Sequence, residues 1–302
     1  MSTASQIFLP KRRPRSLNLS SGLIYVSLTI SLVMIFALVS ILLGNGVPAL
    51  LREGAGLFTL EWHPAHNKFG ILPMLYGTFI VAMIAVLLAT PIGTLCAIAI
   101  SEYLPRQFRI QITGLLELLA GIPSIIYGLI GIAVLAPFLA SNFELQSGRT
   151  ILAGGILLAI MILPTIITLS EDALYNIPDH YRETSAGLGL FKFEIIKDVL
   201  WPIAKTDIIG AILLALGRAL GETIAVMLVI GSIDRIPTPF TNVLSPGQTI
   251  TSKLGREVSE SAFGSPHFQA LIFLALLLVL IGLVMTLMAQ FMIRKGEARL
   301  DN

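Results

Sequence analysis

Six stretches of this chain run for twenty residues or more with almost no charge, and that feature constrains its fold more than any other. A helix crossing a hydrocarbon core of roughly 30 Å needs about 20 apolar residues, and in lipid every backbone polar group must be satisfied within the protein. Gly22 to Leu43, Ile71 to Ile100, Ile151 to Ser170 and Phe268 to Ile293 are uncharged; Ile110 to Phe143 holds only Glu117, and Thr206 to Ile233 holds Asp207, Arg218 and Glu222. The pattern predicts an all-α membrane protein of six spans. The second span is long enough to be tilted, kinked near Pro91 or extended past the bilayer. Charged residues make up 13 % of the chain, against roughly 25 % in soluble domains, which excludes a soluble enzyme and a disordered chain. Cys96 is the single cysteine, so no intrachain disulfide forms.

The basic residues set an expected orientation. With the N-terminus inside, 13 of the 20 Lys and Arg fall in cytoplasmic segments and six in outside segments, which predicts both termini inside. The Lys11-Arg12-Arg13-Pro14-Arg15 run reads as an anchor beside the first span rather than a nucleic-acid patch. This places a cytoplasmic tail at 1–21, the membrane domain at 22–294 and a second tail at 295–302. The outside segments Gly44 to Gly70 and Asp234 to His267 carry turn-like clusters. The inside segment 171–205 is different: ten of the chain's 38 charged residues fall there, interleaved with apolar ones. Ile177-Pro178-Asp179 offers a helix start, and Gly187 and Gly189 a break. Ile195, Ile196, Val199 and Leu200 form an amphipathic face in Phe193 to Trp201, which suits a docking loop.

Several chemistries lack their residues. No Gly-x-x-x-x-Gly-Lys-Ser/Thr loop is present, so ATP is not expected to bind as in a P-loop ATPase, and Gly187-Leu188-Gly189 lacks the third glycine of a dinucleotide fingerprint. His63 and His66 alone are too weak a pattern for a metal, and no cofactor is expected. Glu117 is expected near the cytoplasmic end of its span, in a packing or helix-terminal role. The sharpest feature is Arg218 with Glu222, charges near the middle of the fifth span. Such residues mark substrate pathways by default, and the i,i+4 spacing puts both on one helix face where they can pair. Gly217 and Gly221 suit close helix approach. Gly121-Ile122-Pro123-Ser124 breaks helix bonding at membrane depth, so Pro123 and Ser124 mark either a kink or a gate.

Glu183-Thr184-Ser185, three residues, Gly189, nine residues, and Val199-Leu200-Trp201-Pro202 together resemble the EAA motif of ABC importer permeases. Thr184 and Ser185 replace its two alanines and Trp201 its leucine, while Glu183, Gly189 and Pro202 keep register. Gly121 to Leu129, Leu216 to Val226, and Glu61-Trp62-His63-Pro64 with Phe69-Gly70 resemble signatures of phosphate permeases, of the PstC type more than the PstA type. The resemblance implies a six-helix type I importer permease in the cytoplasmic (inner) membrane. It would pair with a second, homologous permease, two copies of an ATPase and a phosphate-binding protein, with ATP hydrolysed on the ATPase. It implies ATPase coupling at Glu183, Ala186, Gly189 and Pro202 and a phosphate path at Arg218 and Glu222. A permease for sulfate, molybdate or phosphonate has the same architecture; a secondary transporter or channel needs no ATPase and has no use for the Glu183 loop.

Overall fold

The computed structural model describes residues 19–300, with side chains from Gly22 to Ile293. The basic run Lys11 to Arg15 lies outside them, as do the side chains of Arg294, Lys295 and Arg299. The chain is helical apart from a two-residue hairpin pair, β1 (Trp62–His63) and β2 (Lys68–Phe69). Six helices among the described residues are long and apolar enough to cross a membrane: Gly22–Phe58, Leu72–Tyr103, Ser124–Asn142, Ile151–Tyr175, Lys192–Leu220 and Pro266–Ile293. In chain order the helices are α1 (Leu19–Glu53), α2 (Leu72–Ile98), α3 (Arg106–Ala120), α4 (Ser124–Ile130), α5 (Ala136–Asn142), α6 (Ile151–Tyr175), α7 (Asp179–Gly187), α8 (Lys192–Glu194), α9 (Trp201–Leu220), α10 (Ile224–Val229), α11 (Ile250–Glu257) and α12 (Pro266–Leu300).

The centre of the bundle is the pair α2 and α6, with α9 laid against both. Val81, Ala85, Ala89, Leu158, Ile162, Ile166, Ala215 and Ala219 fill the space between them. Lipid is as apolar as leucine, so helices here are held by van der Waals fit, and small residues permit it. A Cβ on Gly93 would lie 2.7 Å from Ile166, and one on Gly155 would lie 2.5 Å from Ile84. The expected Gly217 and Gly221 face does not serve this purpose. A Cβ on Gly217 would meet nothing nearer than Thr286 at 4.0 Å, and Gly221 ends α9; the close approach of α9 to α12 is instead at Gly210, beside Ile293 and Ala289. Every side chain of α1 from Gly22 to Ile41 is exposed, and this helix meets α12 only through its later turns.

Three π-helical stretches interrupt the spans, at Ala99–Tyr103, Gly131–Leu135 and Ile195–Leu200. Each ends two residues before a proline: Pro105, Pro137 and Pro202. Pro105 follows the extended Leu104 past the helix end. At Pro137 and Pro202 the helix continues: proline withholds an N–H and crowds the carbonyl four residues back, and a widened turn just before it absorbs both faults. This lets α8, the π-helical stretch and α9 run on as one rod from Lys192 to Leu220, with Pro202 inside it.

Two expected spans are broken. The third is not one helix from Ile110: the amphipathic α3 ends at Ala120, and the long apolar helix starts at Ser124, past Gly121 to Pro123. Glu117 therefore belongs to α3, ahead of the break. The fifth stops at Leu220 and resumes as the short α10. The two resumed pieces, α4 and α10, pack closely, because a Cβ on Gly128 would lie 2.6 Å from Leu228 and 3.0 Å from the Ala225 Cα. Gly128→Val should force this pair apart, at about 1–3 kcal/mol for overpacking. A lower thermal midpoint of the detergent-solubilised protein is expected, with the exposed Leu129→Met unchanged; equal midpoints for both would contradict the packing.

Candidate functional site at two paired helix breaks

A helix broken inside a membrane frees carbonyls and N–H groups that lipid cannot satisfy. Here the breaks after Ala120 and Leu220 lie side by side, and each supplies the other. Tyr127 reaches back across its own break and donates from its hydroxyl to the Leu119 carbonyl at 2.9 Å. Arg218 donates from Nη2 to the Ala120 carbonyl at 3.2 Å and from Nη1 to Thr165 Oγ1 at 3.0 Å. Thr165 is the fifteenth of the 25 residues of α6, so the guanidinium sits at mid-bundle depth, where sequence reasoning put it. At the Pro123 break the hydroxyl that satisfies a freed carbonyl is Tyr127's, not Ser124's. Pro123 and Gly121 are exposed at the same break.

The expected Arg218–Glu222 pair does not form. Its premise was an unbroken helix, and α9 ends between the two residues. Glu222 instead folds over the start of α10 and accepts from the Ala225 N–H at 3.3 Å, a carboxylate at a helix start where the dipole favours it. The Glu222 carbonyl accepts from Thr251 Oγ1 at 2.7 Å. That hydroxyl comes from α11, a helix that the turn-rich look of Asp234 to His267 hid from sequence reading. Thr165, Ala120 and Thr251 were also missed; none has a motif, and only the fold brings them to Arg218 and Glu222, while Tyr127 sits within the Gly121 to Leu129 signature without its role at the break being marked. An arginine carries five N–H donors and no acceptor. Two are engaged here, and the residue stays exposed on the face of the bundle.

A second constellation closes the opposite end of the α6–α9 pair. α7 starts at Asp179 behind Pro178, and Gly189 follows it at φ +84°, in the left-handed region that glycine adopts without strain. The Gly189 N–H donates to the Ala186 carbonyl and the Leu190 N–H to that of Ser185, the two bonds of a Schellman stop. Segment 171–205 is thus mostly helix: its first residues end α6 and its last belong to the Lys192–Leu220 rod. Its apolar face is turned inward, with Ile196 and Leu200 buried against Leu174, Ile177, Ala204 and Ile208. Exposed on its surface are Leu188 at 79 %, Phe191 at 77 % and Phe193 at 67 %, with Tyr175, Trp201, Glu183, Ala186 and Pro202 also exposed.

One arginine, unremarked in the sequence, anchors this element. Arg182 pairs with Glu102 at the end of the second span at 2.8 Å, and donates to the Ile177 and Leu174 carbonyls at 2.8 Å each. It therefore caps the last turn of α6 and ties α7 to the second span in one group. Nearby, Arg109 of α3 pairs with Glu171 of α6 and lies 3.4 Å from the centre of the Tyr175 ring.

The end remote from α7 is held by a buried charge. Lys253 of α11 is 1 % exposed and lies between Asp234 and Glu257 at 2.5 Å from each, with the Trp62 ring 4.8 Å away. Glu257 also accepts from Trp62 Nε1 and meets His267 Nε2. Trp62 and Phe69 pack edge to face, so the hairpin β1–β2, α11 and the start of α12 form one unit.

A broken-helix bundle with a mid-depth guanidinium and an anchored surface helix at one end defines a membrane permease, and comparison with known proteins gives its family. The family model described as "binding-protein-dependent transport system inner membrane component" matches residues 89–295. The chain belongs to this family: it is an inner membrane protein, the permease component of a binding-protein-dependent ABC transporter, whose partners include a separate ATPase and a binding protein. Relatives include the phosphate transport system permease protein PstC of Mesorhizobium japonicum, 37 % identical over 83 % of this chain and 82 % of that one. PstC of Haemophilus influenzae is 30 % identical over 90 % of each, and the probable ABC transporter permease protein YqgH of Bacillus subtilis is 33 % identical over 96 % of each. Among solved structures, an inward-facing MetNI methionine ABC transporter chain shares the fold, with a TM-score of 0.53 at 18 % identity, covering 75 % of this chain and 94 % of that one.

The charged cluster at Lys253 has a pH signature. Burial opposes the charge on Glu257, but hydrogen bonds and attraction from Lys253 and His267 outweigh it and hold the carboxyl below its ordinary value of 4.5. A carboxyl lowered in the folded state stabilises the fold above its unfolded pKa, and that contribution is lost as pH falls through the folded one. Acidification below 4.5 should therefore loosen the unit and change the emission of Trp62, read in a Trp201→Phe background. A transition centred above 4.5 would contradict the direction of the shift.

Proposed function

We propose that this chain is the PstC-type permease subunit of an ATP-driven phosphate importer, with both termini cytoplasmic, the α7 end facing the cytoplasm and the Lys253 end facing outward. It is paired with a homologous PstA-type permease and two ATPase copies and is served by a phosphate-binding protein. The observation that carries this reading is Arg218, a permanently charged group exposed at mid-bundle depth beside two helix breaks. Anions at membrane depth are commonly met by broken helices, and a planar guanidinium matches phosphate oxygens in pairs. The substrate named for the PstC relatives supports phosphate over the other oxyanions. Glu222, close in sequence but held by α10, keeps a negative charge near the path, so that the anion is attracted without being trapped.

Coupling runs through the other end. Glu183, Ala186 and Gly189 lie on or beside α7, and Leu188, Phe191 and Phe193 offer an apolar surface for the ATPase. Arg182 passes any displacement of α7 to the second span and to α6.

Labelled phosphate uptake at low external phosphate tests the path, in a host lacking its own high-affinity system and supplied with the matching subunits. Arg218→Gln should cut uptake by about tenfold or more, the scale of a lost hydrogen bond to a charged group, at unchanged membrane levels. Normal uptake by that variant would remove Arg218 from the path, and uptake that sulfate suppresses as well as unlabelled phosphate does would favour a different oxyanion. For coupling, Arg182→Ala strands Glu102 in a buried place, at about 3–5 kcal/mol. Fewer phosphates moved per ATP hydrolysed are expected, partly restored by adding Glu102→Gln; an unchanged ratio would make Arg182 a stability residue alone.

A further inference from the structure

At the end of the bundle remote from α7, a cavity of about 450 Å³ opens between the chain leading into α6, the turn after α10, and α11. Arg149 and Arg256 both line it, with Met227, Gly231 and Ser232. Neither arginine has a carboxylate partner among the described residues, although the acids Asp234 and Glu257 lie close in sequence to Ser232 and Arg256. Those two acids are committed to the buried Lys253, and this leaves the cavity with a net positive wall.

The backbone fixes the Arg256 side chain and the main chain at Arg149. Arg256 donates to the Ser232 carbonyl at 3.2 Å, and Ser232 adopts φ +58°, which turns the chain tightly under it. Gly231, at φ +89°, approaches so closely that a Cβ there would lie 2.8 Å from the Arg149 carbonyl. The same turn is pinned by bonds from the Gly247 N–H to the Ile230 carbonyl and from the Ile233 N–H to the Gly247 carbonyl. Arg149 also precedes Thr150, the N-cap of α6, so a cation stands at the positive end of a 25-residue helix. The helix dipole disfavours a cation there, while the first N–H groups of α6 are already taken by Ser245, Val243 and Thr150. The two guanidinia lining one cavity are what attracts and focuses a multiply charged anion.

Arg218 lies deeper in the bundle: it meets Thr165, the fifteenth residue of α6, while Arg149 stands just before the first, about 21 Å back along that helix. Met227, on its wall, lies one helical turn past Thr223 at the second break, and α10 is only six residues, about 9 Å long. We propose that Arg149 and Arg256 form an outer anion site that takes phosphate released at the external face and passes it along α10 to Arg218. The proposal rests on the phosphate reading above and adds to it a station that no motif marks.

The test uses the assembled complex in proteoliposomes, with labelled phosphate and its binding protein. Three forms are compared: wild type, Arg149→Gln with Arg256→Gln, and Arg149→Lys with Arg256→Lys. The glutamine pair should lower phosphate uptake by about tenfold or more, with ATP hydrolysis stimulated by the loaded binding protein staying within about twofold of wild type. The lysine pair, which keeps the charge, should recover most of the uptake. Wild-type uptake by the glutamine pair would overturn the site. So would a parallel loss of stimulated ATP hydrolysis, which would make the arginines a contact for the binding protein or a structural element. A wild-type complex that hydrolyses ATP but imports no phosphate would overturn the phosphate reading itself, and this proposal with it.

Discussion

The fold depends on how two broken helices satisfy one another. Interrupting a span strands backbone groups at a depth where water is absent, and few arrangements tolerate that. In this chain the Ala120 carbonyl at one break is taken by Arg218 at the other, and Leu119 by Tyr127. The arginine is thus a structural donor and an exposed charge at once. Its position follows from the requirement to fill the break, and its chemistry follows from being placed there. The tight contact of α4 with α10 through Gly128 keeps the two breaks level, so packing and polar satisfaction reinforce each other.

The two ends of the bundle are organised by different physics. At the α7 end an arginine collects carbonyls and a carboxylate from two spans and makes the surface helix an extension of both. At the other end the organising group is a buried lysine held by two acids and an aromatic face. An ammonium is costly to bury unless paired. Its pairing also removes negative charge from the neighbouring surface, which leaves Arg149 and Arg256 unopposed.

Much of the architecture was legible in the sequence because membrane thickness is an unforgiving ruler. Uncharged length gave six spans, and Pro178 with Gly189 bounded α7. The errors come from what periodicity leaves out: where a helix breaks, and which neighbours its faces meet. Arg218 and Glu222 are four apart, but the turn at Gly221 places them on different elements. Gly217 and Gly221 match a packing motif, yet the close contacts fall at Gly128, Gly155 and Gly210, where neighbours on other helices decide. Ile196 and Leu200 made a true amphipathic face, but it covers Leu174 and Ile177 of the same chain rather than a partner. Arg182 and Thr165 were illegible because Glu102 and Arg218, the groups they meet, lie 80 and 53 residues away, and the Tyr127 hydroxyl finds the Leu119 carbonyl only because the chain breaks between them.

The rod from Lys192 to Leu220 has a mechanical consequence. Its foot stands beside the surface helix and its tip carries Arg218, about 39 Å away at 1.5 Å per residue, with the π-helical stretch folded into it rather than forming a joint. Pivoted at the foot, a tilt of about 5° would swing the guanidinium by roughly 3 Å over that helical length. Its bonds to Thr165 and Ala120 are 3.0 and 3.2 Å long, so a swing of that size breaks both. Tilted in this way, the rod would work as a lever whose long arm turns a slight rocking at its foot into the release of two hydrogen-bond donors at the centre.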